Sequence, residues 1–244
     1  MKENKIWNDY LPEDMQEHWT VYECLKESED SSTFLVKETV TGILCVLKWG
    51  RNRQAEFLRN EMEIMEKMAD RKLSGVPKAY RIFEENGEVY LVREYIEGMS
   101  LAQMVLQKGG ISEAEICRIS RKICQTAEQF QNPDEPMIHR DIKPENIVVT
   151  PGGEVVFIDF GTMRSYKKDG SRDTFVVGTR GTAAPEQYGY IQTDQRTDVY
   201  AIGQTMLYMV SESYEMNQLS ECAVSRRMKK IIEKACSFEP DKRY

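Results

Sequence analysis

The segment His139–Asn146 reads HRDIKPEN and decides how this 244-residue chain is interpreted. One short loop presents an aspartate, a lysine and an asparagine (Asp141, Lys143 and Asn146), and another aspartate follows at Asp159. Transfer of a phosphoryl group needs a carboxylate near a hydroxyl group, a cation on the phosphates and oxygen ligands for a metal ion. The aspartates and the asparagine can supply the carboxylate and the oxygen ligands of such a reaction.

Two further motifs complete a pattern along the chain. Asp159–Gly161 reads DFG and Ala184–Glu186 reads APE, and both follow HRDIKPEN. In this order and at this spacing they resemble the catalytic domain of protein kinases. The resemblance extends over about residues 20–244 and is greatest to bacterial serine/threonine kinases of the eukaryotic-like (Hanks) type.

The resemblance implies a role for each polar residue of the first two motifs. Asp141 would be the catalytic base, and Lys143 would contact the γ-phosphate of ATP. Asn146 and Asp159 would bind the metal ion, for which Mg²⁺ is expected and Mn²⁺ is an alternative. ATP and a divalent metal ion are thus the expected cofactors.

A lysine and a glutamate nearer the N-terminus complete the expected catalytic set. Lys48 follows the apolar run Cys45–Leu47, as the kinase lysine of the third strand does. Its expected partner is Glu61, in the helix that follows, and the pair would hold the α- and β-phosphates. The alternative is a structural lysine without this role, because strand-end lysines are common and the helix contains other glutamates.

The resemblance also places the adenine pocket. Glu94 and Ile96 lie in the expected hinge, where backbone groups would hydrogen-bond the base. Val46 and Thr33 would lie above adenine, and Val148 would form the floor. Ligand pockets are lined largely by apolar side chains, so Val148 can serve both the pocket and a strand core.

Residues 159–186 resemble an activation segment, which is the part of a kinase that phosphorylation orders. Arg140 stands beside the expected catalytic base, and arginine binds phosphate through two parallel hydrogen bonds. We expect autophosphorylation in this segment, with Thr174 as the first candidate acceptor and Ser171 as the second. Dimerisation would allow the reaction to occur in trans.

Other residues are expected to support the catalytic loop. Lys143 and Thr179 are typical of serine/threonine kinases, and Thr179 would contact both Asp141 and Lys143. Asp198, in a helix with an apolar pattern, would hold the loop in place.

The loop that covers the phosphates departs from the kinase pattern. It normally contains three glycines, because their backbone N–H groups approach the phosphates closely. Counting back from Lys48 places Lys26, Ser28 and Ser31 at these positions, with acidic residues between them. We expect weaker or differently arranged nucleotide binding.

Three further departures accompany the missing glycines. Arg93 stands just before the hinge, where an apolar residue is usual, and a buried arginine needs a partner such as Glu61 or Asp159. The chain between the apolar helix and Arg226 is short, so the helix that often docks protein substrates is expected to be reduced or absent. The segment FEPDKRY, at 238–244, resembles the start of the last kinase helix, which suggests a truncated chain.

Hydrophobic periodicity predicts an α+β fold with a β-rich first third and an α-helical remainder. We assign 1–19 to an N-terminal extension, 20–95 to a small lobe, 96–244 to a larger lobe, and 94–98 to the hinge of this bilobal kinase fold. Strands are predicted at 20–25, 33–39, 43–49, 80–83, 89–95, 147–149 and 155–158. Helices are predicted at 54–69, 112–131 (with a Ser112–Glu115 capping box), 197–210 and 225–237.

Composition limits the partners and the location. The net charge of −7 argues against general nucleic-acid binding, and no apolar run is long enough to span a membrane. The six cysteines form no C-x-x-C pair and suit a reduced, cytoplasmic environment. Protein substrates with Ser or Thr hydroxyls are the expected partners.

Three functions agree with these motifs. The leading one is an ATP-dependent serine/threonine protein kinase. A pseudokinase that acts as a nucleotide-dependent or scaffold binding module is the alternative, because the phosphate-covering loop lacks glycine. A small-molecule phosphotransferase of the aminoglycoside-kinase type shares the Asp and Asn loop. It lacks an APE-containing segment, in which Glu186 would pair with Arg243.

Overall fold

The computed structural model describes residues 11–131, 135–166, 178–179, 181–189 and 192–244. The chain divides into two compact units. The first comprises Met1–Lys72 with Pro77–Ile96, and the second comprises Leu73–Val76 with Glu97–Tyr244. The assignment of an extension, two lobes and a hinge stays a prediction.

One antiparallel sheet of five strands forms the framework of the first unit. In chain order the strands are β1 (Trp19–Glu27), β2 (Ser31–Glu38), β3 (Leu44–Gly50), β4 (Ala79–Glu85) and β5 (Glu88–Glu94). In space the order is β1-β2-β3-β5-β4. Asn86 and Gly87 join the last two strands with φ of 50° and 81°. A two-residue turn needs positive φ at both positions, so the Asn-Gly signal is confirmed.

Both faces of this sheet are covered by apolar side chains. On one face α2 (Arg53–Asp70) packs Ala55 and Leu58 against Val89 and Leu91 of β5. On the other face a second core includes Met15, which lies in α1 (Glu13–Gln16) and has no exposed surface. The charged N-terminal sequence did not predict this second cover.

Short strands and longer helices make up the second unit. The helices are α3 (Leu101–Lys108), α4 (Glu113–Glu128), α5 (Gln195–Ser211) and α6 (Arg226–Ala235). The strands are β6 (Met99–Ser100), β7 (Met137–Ile138), β8 (Ile147–Val149), β9 (Val155–Phe157) and β10 (Arg164–Ser165). They form two small sheets, β6-β8-β9 and β10-β7. The predicted α+β class is confirmed.

The helix ends show where the sequence pattern was incomplete. Ser112 caps α4 by accepting the N–H of Glu115 at 3.3 Å, but the Glu115 carboxylate binds Lys108 at 2.8 Å. The predicted capping box is therefore only half formed. A complete box occurs instead at Ser100 and Gln103, at the start of α3.

The chain between α5 and α6 contains only a 3-10 segment, Met216–Glu221. The predicted reduction of the substrate-docking helix is thus confirmed. No helix in the described ranges is long and apolar enough to cross a membrane.

Candidate active site

A buried carboxylate holds the loop that contains Asp141. Asp198 of α5 accepts the N–H groups of His139 and Arg140, both at 2.9 Å. Arg140 has a φ of 67°, which is uncommon outside glycine, and the two bonds fix its backbone. Burial raises the pKa of Asp198 to about 6, although the two N–H groups lower it. The predicted role of Asp198 is confirmed.

Both oxygens of the Asp141 carboxylate have partners. Oδ1 accepts the hydroxyl of Thr179 at 2.8 Å, and Oδ2 accepts Lys143 Nζ at 2.7 Å and Asn146 Nδ2 at 2.9 Å. Lys143 Nζ also donates to Thr179 Oγ1 at 2.5 Å. The predicted contacts of Thr179 are therefore confirmed. Gly178 precedes it because a Cβ there would lie 2.6 Å from Ala183 Cβ.

The hairpin of β8 and β9 brings the two expected metal ligands into neighbouring segments. Ile158 N–H donates to the Asn146 carbonyl oxygen at 3.0 Å, and Asp159 follows directly. The Asn146 amide nitrogen donates to Asp141, which leaves its Oδ1 for the expected metal ion. One amide oxygen and one carboxylate suit a hard cation that keeps several waters. Within the described ranges, no three His, Cys, Asp or Glu side chains cluster as a metal site by themselves.

The ring of His139 belongs to the core. It is fully buried and packs against Phe130, Phe157 and Phe160, with ring centroids 5.2–6.2 Å away. Neither ring nitrogen has a hydrogen-bond partner among the described residues. Burial lowers the pKa of His139 to about 4, so the ring is neutral near pH 7. It is unsuited to proton exchange with a substrate.

In the first unit, Lys48 and Glu61 form a close ion pair. Lys48 Nζ lies 2.8 Å from Oε1 and 2.7 Å from Oε2 of Glu61. Both residues are buried, with 9% and 1% of their surface exposed. The predicted contact is confirmed, while its role on phosphates stays a prediction.

The strand register places the other expected pocket residues on the sheet face of Lys48. Thr33 is the direct neighbour of Lys48 on β2, and Val46, two residues before Lys48 on β3, lies on the same face as Lys48. Arg93 is the β5 neighbour of Val46 and is 4% exposed. Its Nη1 donates to the Glu94 carbonyl oxygen at 2.9 Å. The expected acidic partner of Arg93 stays a prediction.

The remaining expected pocket residues lie at strand ends and in β8. The Glu94 N–H donates to the Lys78 carbonyl oxygen at 2.8 Å, and Glu94 Oε2 accepts the Lys78 N–H at 3.0 Å. Ile96 is the last residue of the first unit. Val148 is buried in β8 and pairs with Ser100 and Val156. Their part in binding adenine stays a prediction.

The tip between β1 and β2 has an arrangement that the sequence did not reveal. Ser28 N–H donates to the Ser31 carbonyl oxygen at 2.8 Å, which closes the turn without glycine. Asp30 binds Arg51 Nε at 2.9 Å and Asn52 Nδ2 at 3.1 Å. The pairing of Ser31 with Gly50 brings Asp30 beside Arg51, so the strand register is the signal that would have predicted this contact.

The described part of the expected activation segment is tied to the catalytic loop. Arg140 Nε donates to the Thr162 carbonyl oxygen at 2.7 Å, and Thr162 Oγ1 donates to the His139 carbonyl oxygen at 3.0 Å. Thr174 and Ser171, the candidate phosphate acceptors, lie outside the described residues.

The APE motif is anchored by a buried ion pair and by one residue that sequence reasoning missed. Arg243 binds both carboxylate oxygens of Glu186, at 2.7 and 2.9 Å, which confirms the predicted pair. Gln187 donates to the Arg140 carbonyl oxygen at 2.7 Å and accepts the N–H of Ala184 at 2.9 Å. Its position next to the motif was the available signal.

Comparison with known proteins finds relatives that are named as serine/threonine-protein kinases. Serine/threonine-protein kinase D of Synechocystis sp. is 29% identical over 208 residues, which are 78% of this chain and 40% of the relative. Serine/threonine-protein kinase B of Synechocystis sp. is 30% identical over 190 residues, 69% of this chain and 33% of the relative. A probable serine/threonine-protein kinase of Clostridium perfringens is 35% identical over 147 residues, 60% of this chain and 21% of the relative.

This chain spans less than half the length of each of these relatives. A family model described as the protein kinase domain matches residues 20–244, which begin at β1 and include every site residue described above. The chain therefore belongs to the protein kinase family.

Proposed function

We propose that this chain is a catalytic domain that transfers the γ-phosphate of ATP to Ser or Thr hydroxyls of proteins. The observation that carries the proposal is the group around Asp141. Its carboxylate accepts a hydroxyl hydrogen bond from Thr179 at 2.8 Å, beside the ammonium group of Lys143. A general base for an alcohol substrate must hold a hydroxyl donor at this distance.

In the proposed reaction, the substrate hydroxyl oxygen bonds to the γ-phosphorus, and the bond from that phosphorus to the bridging oxygen of ADP breaks. Asp141 receives the hydroxyl proton, and Thr179 gives up its bond to Oδ1 when the substrate hydroxyl arrives. Lys143, already 2.7 Å from Asp141, would balance negative charge on the γ-phosphoryl group. Positioning and electrostatic stabilisation supply most of the catalysis in this reaction class.

The remaining residues would hold the nucleotide and the metal ion. Asn146 and Asp159 would bind Mg²⁺, with Mn²⁺ as the alternative, because amide and carboxylate oxygens suit a hard divalent cation. When bound, the ion neutralises charge on the phosphates. Lys48, oriented by Glu61, would contact the α- and β-phosphates.

The adenine base would meet backbone groups of the segment that contains Glu94 and Ile96. Val46, Thr33 and Val148 would line its pocket, as apolar and small side chains do in most ligand sites.

Two further observations bear on which hydroxyl groups are phosphorylated and on where in the cell the protein is found. The relatives are named as serine/threonine kinases, which favours Ser and Thr over Tyr for this chain. We propose autophosphorylation at Thr174 or Ser171, in trans through a dimer. All six cysteines are free thiols, which supports a cytoplasmic location.

One observation favours a second function, a pseudokinase that binds partners without turnover. The β1–β2 tip closes through Ser28 and Ser31, so at least one N–H group that a glycine-rich loop would offer to phosphate is used internally. The small-molecule phosphotransferase is disfavoured by the Glu186–Arg243 pair, which belongs to a protein-kinase activation segment.

Parallel incubations with γ-labelled ATP and Mg²⁺, one with a peptide library and one with aminoglycosides, separate these functions. We expect label on Ser and Thr, and we expect Asp141→Asn to lower kcat by about 10²–10⁴-fold while nucleotide still raises the melting temperature. Asp70→Asn, an exposed aspartate at the end of α2, is the matched control and should leave turnover unchanged. A nucleotide-dependent shift without phosphate transfer would support the pseudokinase. Label on aminoglycosides but not on peptides would support the small-molecule enzyme.

Lys48→Met is a less direct test than Asp141→Asn. Glu61 is 1% exposed, so the substitution removes a cation that contacts a buried carboxylate and is expected to destabilise the protein. Loss of activity in that variant would therefore not distinguish unfolding from the loss of contact with the phosphates.

A further inference from the structure

The first unit contains a cavity of 330 Å³ on the sheet face opposite Lys48. Side chains alternate between faces along a strand, so Trp49 points away from the face of Lys48. Ser32 is the direct neighbour of Trp49 on β2, and Phe34 follows two residues later on the same face. These three residues and Glu88, at the start of β5, line the cavity. Its lining includes Glu27, Ser28 and Glu29 of the loop expected to cover the phosphates, but none of the residues assigned above to adenine, the metal ion or the catalytic group.

Glu88 is held so that one of its oxygens stays available. Its Oε2 accepts both the indole N–H of Trp49 at 2.9 Å and the hydroxyl of Tyr90 at 2.8 Å. Burial, followed by the bond to Glu88, raises the pKa of Tyr90, so this hydroxyl remains a donor at neutral pH. Among the described residues no hydrogen bond reaches Glu88 Oε1. A carboxylate oriented by two donors on one oxygen can bind a third donor with the other.

Ser32 offers a second polar atom to a ligand in the cavity. It is 6% exposed, and its hydroxyl makes no hydrogen bond to any residue in the described ranges. Its oxygen is not among the unpartnered side-chain atoms that are fully buried, so it is accessible and can accept a hydrogen bond from a molecule in the cavity. The residue lines the cavity, where a ligand donor could reach it.

The charge of the lining selects the class of ligand. Glu27 and Glu29 line the cavity together with Glu88, and Arg51 is the basic residue among the lining side chains. Arg51 is already bound to Asp30 at 2.9 Å and to the Glu29 carbonyl oxygen at 3.1 Å. The lining therefore repels anions and attracts cations. The Arg51 guanidinium already lies over the Trp49 ring, 5.9 Å from its centroid, so the aromatic side chains of the lining serve mainly to pack against alkyl groups.

We propose that this cavity binds a small alkylamine that is protonated at neutral pH. Its ammonium group donates to Glu88 Oε1 and to Ser32 Oγ, and its alkyl chain packs against Trp49 and Phe34. The volume is at the lower end of the range for small-molecule pockets, which suits a short amine and not a nucleotide.

Titration calorimetry with putrescine tests the proposal, with 1,4-butanediol as the uncharged analogue of the same length. We expect one putrescine per chain, and binding of the diol at least about tenfold weaker because it lacks the charge-assisted hydrogen bond. Glu88→Gln keeps an acceptor for Trp49 and Tyr90 but removes the charge, so it should weaken putrescine binding by about tenfold or more. Ser32→Ala should weaken it by roughly fivefold.

Glu63→Gln is the matched control, because Glu63 is exposed on α2 and away from the cavity. It should leave the affinity unchanged. Equal affinity for the diol, undiminished binding by Glu88→Gln, an equal loss in Glu63→Gln, or no heat with putrescine would each overturn the proposal. The titrations contain no nucleotide and are repeated with Asp141→Asn. Unchanged putrescine binding in that variant keeps this site distinct from the proposed kinase activity, so that either can fail without the other.

Discussion

Two ion pairs in this protein share a geometry but differ in burial, and their comparison tests what burial does to an ion pair. Arg243 binds Glu186 through two hydrogen bonds of 2.7 and 2.9 Å, and Arg59 binds Glu84 through two of 2.8 Å. The side chains of the first pair are 0% and 3% exposed, and those of the second are 44% and 48% exposed. We predict that Glu186→Gln destabilises the protein far more than Glu84→Gln.

The magnitudes follow from the surroundings of each arginine. Loss of one partner of a buried pair costs about 3–5 kcal/mol, because the remaining charge is left without compensation in a medium of low polarity. Arg243 also donates to the carbonyl oxygens of Ser237, Arg196 and Phe238, which remain in the variant. We therefore expect about 3 kcal/mol, at the low end of that range. An exposed pair contributes about 0.2–1 kcal/mol, so Glu84→Gln should cost less than about 1 kcal/mol.

Urea unfolding followed by far-ultraviolet circular dichroism measures both costs. Each variant should shift the midpoint without changing the slope, because the surface exposed on unfolding is the same. The double variant Glu186→Gln with Arg243→Met should recover part of the loss, since no buried charge is left unpaired. Equal costs for the two single variants, within about 0.5 kcal/mol, would refute the argument that burial sets the value of these pairs.

Three other substitutions test the interiors of the two units. On acidification the protein should lose about 3 kcal/mol of stability through His139, because the pKa of this side chain is about 4 in the folded protein and 6.5 in a free side chain. The contribution of the histidine to stability is complete above pH 6.5 and is lost as the pH falls through 4. In His139→Phe this loss should be absent. The difference between the two urea-derived stability curves isolates this effect from Asp198, and parallel curves would contradict it. Gly203→Ala should cost about 1–3 kcal/mol in urea unfolding, because its Cβ would lie 2.7 Å from both Ala235 Cβ and Cys236 Sγ; an unchanged midpoint would mean that α6 moves freely. Met15→Ala should cost about 2–5 kcal/mol in the same assay, and no change would show that the segment before β1 is not part of the core.

The parts of the fold that the sequence predicted are those set by short-range patterns. The Asn86-Gly87 turn needs only the φ preferences of two residues, and the loop from His139 to Asn146 carries its ligands on one continuous segment. The Glu186–Arg243 contact joins distant positions, and only the family resemblance identified it. Local chemistry is thus readable from one sequence when neighbours along the chain are also neighbours in space.

The features that escaped prediction depend on competition between partners or on packing of distant segments. Ser112 and Glu115 have the spacing of a capping box, but Lys108 offers the glutamate a charged partner, and an ion pair at 2.8 Å replaces the backbone contact. Met15 stands in a charged stretch whose apolar residues are too few to indicate burial. The burial of Met15 depends on the strands, which place Trp19 and Phe34 on one face of the sheet, where Met15 packs in the same core.

The structure of the tip between β1 and β2 weakens the main argument against catalysis, which is the departure of this loop from the glycine-rich pattern. The missing glycines and the acidic residues both suggested poor contact with a triphosphate. Asp30, however, is bound to Arg51 and Asn52, so its charge is largely compensated, which reduces the electrostatic objection to ATP binding. The turn is closed by hydrogen bonds of Ser28 and Ser31 instead of by glycine flexibility, which makes a stiffer tip with fewer free N–H groups. Such a tip would weaken ground-state binding of ATP more than the transfer step, because Asp141 and its partners belong to the other unit. A raised KM for ATP with a substantial kcat therefore fits this structure better than the absence of turnover.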